Sequence, residues 1–238
     1  MRRFYAPKQN FSASAVTLDA DETRHLRDVL RLNTGDEVSV FDGEGGEFAC
    51  LISAIGKKGS TLEITEAIEP PAPESLLDLT LAVSLLKGEK FDLVVQKTVE
   101  LGVTRLVPLE TARADVRAGD GEKRRDRWQK IALGATKQCG RATLMRIAKP
   151  VPFRAYAETA DTPAHFFTER GGGPLSAAAG TNKTTAFIGP EGGWEDSEIS
   201  FAAERGFSLV TLNGRILRAE TAAVAIAAIL QHRFGDLN

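Results

Sequence analysis

The 238-residue chain has little of what metal and redox chemistry requires. It holds two cysteines and three histidines, and Cys50, Cys139, His25, His165 and His232 are scattered without the spacing of a metal site. Two distant cysteines make no disulfide framework, and a reduced, cytoplasmic compartment is the default expectation. The longest apolar run, Ala222 to Leu230, is about half of the ~20 residues a membrane-spanning helix needs. The opening Met1-Arg2-Arg3-Phe4-Tyr5-Ala6-Pro7 has charge but no apolar stretch behind it, so no signal peptide is expected. Internal repeats and low-complexity segments are also missing. No Gly-x-x-x-x-Gly-Lys-Ser/Thr loop and no Gly-x-Gly-x-x-Gly fingerprint marks a phosphate or dinucleotide site at the C-terminal glycine turns.

What is present is an ordinary soluble composition, 42% hydrophobic and 26% charged, with an uneven charge distribution. Net charge is −2. Yet Arg113 to Arg146 carries ten basic residues against four acidic, and the stretch up to Arg31 carries six against four. Clustered bases in a mildly acidic chain fit either a nucleic-acid footprint or a solvated helix face.

Glu69-Pro70-Pro71-Ala72-Pro73-Glu74-Ser75 cannot continue a helix or a central strand, so it reads as an extended linker over 70–75. Before it, residues 1–69 read as a small β-barrel domain of short strands separated by glycine turns, at Asp42-Gly43-Glu44-Gly45-Gly46 and Gly56-Lys57-Lys58-Gly59. One helix is predicted there, Asp21 to Leu30, with Asp21 as N-cap. After the linker, residues 76–238 alternate strand and helix, the pattern of an α/β domain with a parallel sheet. Pro108 pushes the strand Leu106–Leu109 towards an edge or end position.

Two glycine turns near the C-terminus stand out. Phe187-Ile188-Gly189-Pro190-Glu191-Gly192-Gly193 and Leu212-Asn213-Gly214-Arg215-Ile216-Leu217-Arg218 each follow an apolar strand and precede a helix. In an open parallel sheet, ligands bind where strands hand over to loops at their carboxyl ends. Glu191 and Glu195 disfavour a phosphate, so a neutral or cationic nucleoside-like ligand suits these turns. Plain strand–helix punctuation is the alternative.

These blocks, with Lys97-Thr98-Val99-Glu100-Leu101-Gly102-Val103, His25-Leu26-Arg27-Asp28-Val29-Leu30-Arg31, Arg127-Trp128-Gln129-Lys130-Ile131 and Gln138-Cys139-Gly140-Arg141, resemble the RsmE family. Its members are 16S ribosomal RNA uracil N3-methyltransferases of the SPOUT superfamily. The likeness runs over nearly the whole chain. Asn213 departs from it, since glycine is usual there. The resemblance implies an α/β fold with a SPOUT-type parallel sheet and a C-terminal trefoil knot, and a PUA-like N-terminal barrel that holds RNA. It also implies S-adenosylmethionine bound in the knot loops, a homodimer, and the small ribosomal subunit with its 16S RNA as partner, without metal or membrane. Action on transfer RNA or on a ribose 2′-oxygen, and a non-catalytic RNA-binding role, are the alternatives.

The residues expected to hold the cofactor are Ile188, Gly189, Pro190, Gly192, Leu212, Asn213, Gly214, Ile216 and Leu217, with Thr168 from a third loop. Arg218 is the expected catalytic cation, because a guanidinium can stabilise a uracil losing its N3 proton. An ion pair with Glu220 is its bland alternative, and Arg215 could fill the same role. Glu191 is a second catalytic candidate, and Lys97 with Glu100 could be a surface pair. RNA contacts are expected from Arg2, Arg3, Arg27, Arg31, Arg113, Arg124, Arg125, Gln138 and Arg141. No residue identifies itself as the proton acceptor.

Overall fold

The computed structural model describes residues 2–160, 163–176 and 182–237. The chain divides into two compact units: Met1–Glu74 with Thr136–Leu144, and Ser75–Ala135 with Met145–Asn238.

In the first unit, β1 (Arg2–Tyr5), β2 (Ala15–Leu18), β3 (Glu37–Phe41), β4 (Glu47–Ile55) and β5 (Ser60–Ile68) pair in the order β1-β3-β4-β5-β2. Only β1–β3 is parallel. No ladder joins β1 to β2 among the described residues, so the expected barrel is a curled, open half-barrel. Alternate residues of these strands, among them Phe4, Val16, Leu18, Val38, Val40, Ile52 and Leu62, close on Leu26 to form its core. The helix expected from Asp21 begins earlier and ends sooner. It is α1 (Ala20–Arg24), capped by Asp19, whose carboxylate accepts from the amides of Asp21 and Glu22. A carboxylate one residue before the helix reaches the free first-turn amides, which Asp21 inside the helix cannot. A wider π-type turn over His25–Val29 follows and ends at Arg31, at φ 55°.

Thr136–Leu144 belongs to this unit through buried charge. Arg3 is bidentate to Glu47, at 2.9 and 2.8 Å, and also donates to the carbonyls of Thr136 and Arg141. Lys137 pairs with Glu22 at 2.8 Å. Arg141 pairs with Glu74 at 2.8 Å, so the proline-rich stretch is tied down at its end.

In the second unit, β6 (Asp78–Ser84), β7 (Arg105–Glu110), β8 (Arg146–Ile147), β10 (Ala164–Phe167), β11 (Lys183–Ile188) and β12 (Ser208–Val210) form a parallel sheet in the order β12-β10-β11-β6-β7-β8. The short β9 (Val151–Pro152) also pairs with β7. The helices are α2 (Lys90–Glu100), α3 (Ala118–Cys139, of which the part up to Ala135 lies in this unit), α4 (Phe153–Thr159), α5 (Asp196–Glu204) and α6 (Ala219–Phe234). β6 and β11 are buried almost end to end, as central parallel strands covered on both faces are. Pro108 does not put β7 at an edge. It falls in the gap between the pairing of Arg105 and Leu106 with β8 and that of Leu109 and Glu110 with β9, so its missing N–H breaks no ladder bond. Phe153 of α4 packs ring against ring with Phe166, Phe187 and Trp194, with Phe166 and Trp194 centroids 4.3 Å apart.

Candidate functional site

The carboxyl ends of β10, β11 and β12 lie side by side, since β10 pairs with both of the others. Their three following loops and the first turns of α6 enclose a cavity of about 520 Å³. Its walls include Phe167, Thr168, Ile188, Gly189, Pro190, Glu191, Leu212, Asn213, Gly214, Ile216, Leu217 and Arg218. Thus the cofactor candidates and both catalytic candidates line one cavity, with a single exception. Gly192 lies outside it, and its carbonyl accepts from Arg113 Nη1 at 3.3 Å.

The glycines of the first loop have packing reasons for being glycine. A Cβ on Gly189 would stand 2.8 Å from Trp194 Nε1, and Trp194 is fixed by its indole N–H donating to Phe167 O at 2.9 Å. Gly193, at φ +71°, would drive a Cβ to 2.8 Å from Glu169 Oε1. Gly214 differs. Among the described residues it has nothing within 4 Å of its Cβ position, but it sits at φ +109°, a conformation that strains any other residue.

Around these loops the charges are arranged in pairs. Glu191 meets Lys90 at 3.0 Å. Arg170 pairs with Glu169, and its Nη2 donates to Asp196 Oδ1 at 2.7 Å and to Trp194 O at 2.9 Å. That guanidinium holds the Asp196 carboxyl below the usual carboxylate range. Arg218 is exposed, is the N-cap residue of α6, and makes no ion pair with Glu220 among the described residues. Glu220 is buried instead, with Oε2 unpartnered among the described residues. Lys97 and Glu100 form the i,i+3 surface pair at 2.9 Å. Among the described residues no group of three or more His, Cys, Asp and Glu is placed to hold a metal, and no helix is long and apolar enough to cross a membrane.

The residues expected to contact RNA sit in different surroundings. The Arg3 side chain is 10% exposed against Glu47, and that of Arg141 is 4% exposed against Glu74. Both guanidiniums are consumed inside the first unit. Arg124 donates to the carbonyls of Leu86 and Gly88, and its guanidinium lies over Trp128, 5.4 Å from the ring centroid. Arg125 is half-buried, with Nε unpartnered among the described residues. Arg27 is bidentate to Asp28, at 2.7 and 2.8 Å. Arg2, Arg31, Arg113 and Gln138 are exposed.

The cavity also has members that sequence reasoning missed. Glu169, Trp194, Val210 and Thr211 line it, as do Ala219, Ala222 and Ile226 of α6. The spacing of the last three places them on one helix face. The small side chains of Ala219 and Ala222 leave room at the cavity.

The arrangement has an apolar floor, carboxylates on two loops, and arginines 215 and 218 on the third. It suits a ligand with a flat apolar part and hydrogen-bond donors. Comparison with known proteins agrees with this. Residues 73–231 match the family model described as an RNA methyltransferase domain, and residues 18–65 match an RNA methyltransferase PUA domain. A curated relative from Synechocystis, named Ribosomal RNA small subunit methyltransferase E, is 35% identical over 96% of this chain and 76% of its own. A crystal structure of the protein of that name from Neisseria gonorrhoeae, bound to S-adenosyl methionine, superposes with a TM-score of 0.90. It is 33% identical and covers 100% of both chains. A structure of a Legionella pneumophila protein in complex with the same cofactor gives 0.89, at 30% identity over 99% of this chain and 98% of that one. The chain belongs to the RNA methyltransferase family whose curated members are named Ribosomal RNA small subunit methyltransferase E.

Proposed function

We propose that the protein transfers a methyl group from S-adenosylmethionine to N3 of one uridine in the 16S RNA of the small ribosomal subunit, in the cytoplasm and as a homodimer. The observation that carries this reading is the convergence of three strand-end loops on one cavity in a chain of this family. The residues fit the cofactor. Ile188, Val210 and Ile226 give an apolar bed for an adenine, and the turns at Gly189 and Gly214 bring backbone amides and carbonyls to its rim. When bound, the cofactor supplies an electrophilic methyl on a sulfonium.

The chain's residues then have distinct tasks. The loops fix the donor's direction, which is the orientational part of catalysis. Arg218, exposed at the cavity wall and without an ion pair to Glu220, faces the charge that spreads onto the uracil oxygens as N3 loses its proton. Glu191 is already neutralised by Lys90, so its part is to hold the first loop against α2. The trefoil knot belongs to the same reading, as does the dimer. Ile216 at 93% exposed, and half-buried Val224 and Ile229 on α6, support an apolar surface that a second copy covers.

On the RNA side, Arg27 Nη1 donates to Gly56 O at 3.3 Å. This sets the π-type turn against the β4–β5 hairpin that carries Lys57 and Lys58. Arg2, Arg31, Lys57 and Lys58 are exposed and are the phosphate-contacting set in this reading. About four phosphate contacts give a slope of about −3 in log affinity against log salt. The test is incubation of the protein with S-adenosylmethionine and unmodified small subunits, followed by nucleoside mass analysis. One N3-methyluridine per subunit is expected. Methyl gain on a ribose, on transfer RNA only, or nowhere refutes the reading.

A further inference from the structure

Glu169 stands at the end of β10, where sequence patterns gave no motif, and its side chain lines the cavity. One of its oxygens is spoken for. Arg170 Nη1 donates to Oε1, and the same guanidinium is anchored through Nη2 to Asp196 and to the Trp194 carbonyl. The carboxylate is therefore held from behind by a group that is itself fixed to the first glycine loop and to α5. Oε2 has no hydrogen-bond partner among the described residues. Space for the carboxylate is reserved as well: a Cβ on Gly193 would come within 2.8 Å of Oε1 and 3.5 Å of Oε2. An acceptor fixed on one side and unused on the other, in the wall of a ligand cavity, is built to receive a donor.

We propose that Glu169 is the carboxylate that accepts the ribose hydroxyls of the bound cofactor, a role no motif in the chain announces. This rests on the reading of the cavity as an S-adenosylmethionine site. S-Adenosylmethionine has two kinds of strong donor besides the adenine amine: the vicinal ribose hydroxyls and the α-ammonium. With the guanidinium on Oε1 shared between Glu169 and Asp196, the lone pairs of Oε2 are the free acceptors, and they suit a paired-hydroxyl donor. In the dinucleotide-binding α/β fold an Asp or Glu likewise accepts a ribose hydroxyl.

Calorimetric titration of wild-type protein, Glu169→Ala and Glu169→Gln tests this with three probes: S-adenosylhomocysteine, 5′-methylthioadenosine, and the 2′,3′-dideoxy form of the latter. Loss of a hydrogen bond to a charged acceptor should weaken S-adenosylhomocysteine by about 10- to 100-fold in Glu169→Ala. The loss should be equal for 5′-methylthioadenosine, which lacks the ammonium. The dideoxy probe should bind wild type and variant alike. Glu169→Gln, which keeps the shape and one acceptor oxygen, should fall between and should melt with wild type. Equal binding of S-adenosylhomocysteine by wild type and both variants overturns the assignment. So does a loss that vanishes with 5′-methylthioadenosine, since it moves the contact to the ammonium. If wild type binds none of the three probes, the cofactor reading fails and this inference with it.

Discussion

The two glycine loops look alike in sequence, yet they are held in opposite ways. The loop after β11 is braced from all sides: Gly189 lies against the Trp194 indole, Gly193 against Glu169, Glu191 is paired with Lys90, and Arg170 ties the Trp194 carbonyl to Asp196. The loop after β12 is open. Asn213 to Arg218 are all exposed, Gly214 has nothing near its Cβ position, and Ile216 is 93% exposed. Identical punctuation thus satisfies two requirements. In the first loop glycine makes room for a neighbour, and in the second it permits a backbone conformation. A braced wall facing an open one is what a site needs if it is to admit a ligand and still position it.

Breaking the brace should have the largest effect. Trp194→Ala removes a fully buried indole from the Phe153–Phe166–Phe187 cluster, which should cost about 3–5 kcal/mol. Thermal or urea unfolding reads this, and a variant as stable as wild type would show that the wall is not braced by Trp194. Next is Arg218→Ala on the open loop. It should lower methyl transfer by on the order of 10²–10³ while melting temperature and cofactor affinity stay level. A variant that is unstable but fully active once folded would make Arg218 structural.

Gly189→Ala and Gly214→Ala set the two loops against each other directly. The first should lose about 1–3 kcal/mol of global stability, because its Cβ overpacks against the indole. Pairing it with Trp194→Phe should recover part of that loss by removing the clashing nitrogen edge. The second has no neighbour to strike, and its strain of about 1–2 kcal/mol falls on an exposed loop. Cofactor affinity should drop by about tenfold with little shift in melting temperature. If the two variants behave alike in both assays, the contrast between the loops is wrong.

Much of this contrast could not be read from the chain. The strand–helix alternation after the proline-rich stretch was legible because buried parallel strands are continuous apolar runs, as at Leu79–Val83 and Ala186–Ile188. The glycine turns were legible because few residues tolerate their backbone. What glycine does not announce is its reason, and Gly189 needed the position of Trp194 to reveal it. Charged residues were the least legible. Arg3 and Arg141 are plain bases in the sequence, and their partners Glu47 and Glu74, at separations of 44 and 67 residues, are visible only in the fold. Glu169 escaped for the same reason, since its significance lies in which oxygen Arg170 leaves unused. The short β8, β9 and α4 lack the length that makes a period visible.

Amide hydrogen exchange with and without S-adenosylmethionine probes the joint pocket most directly. Peptides covering 187–194 and 211–222 should both gain protection in the presence of the cofactor. The gain should be greater in the second, because the open loop has more motion to lose. Protection confined to one of the two segments, or found in neither, would contradict a cavity shared by both loops.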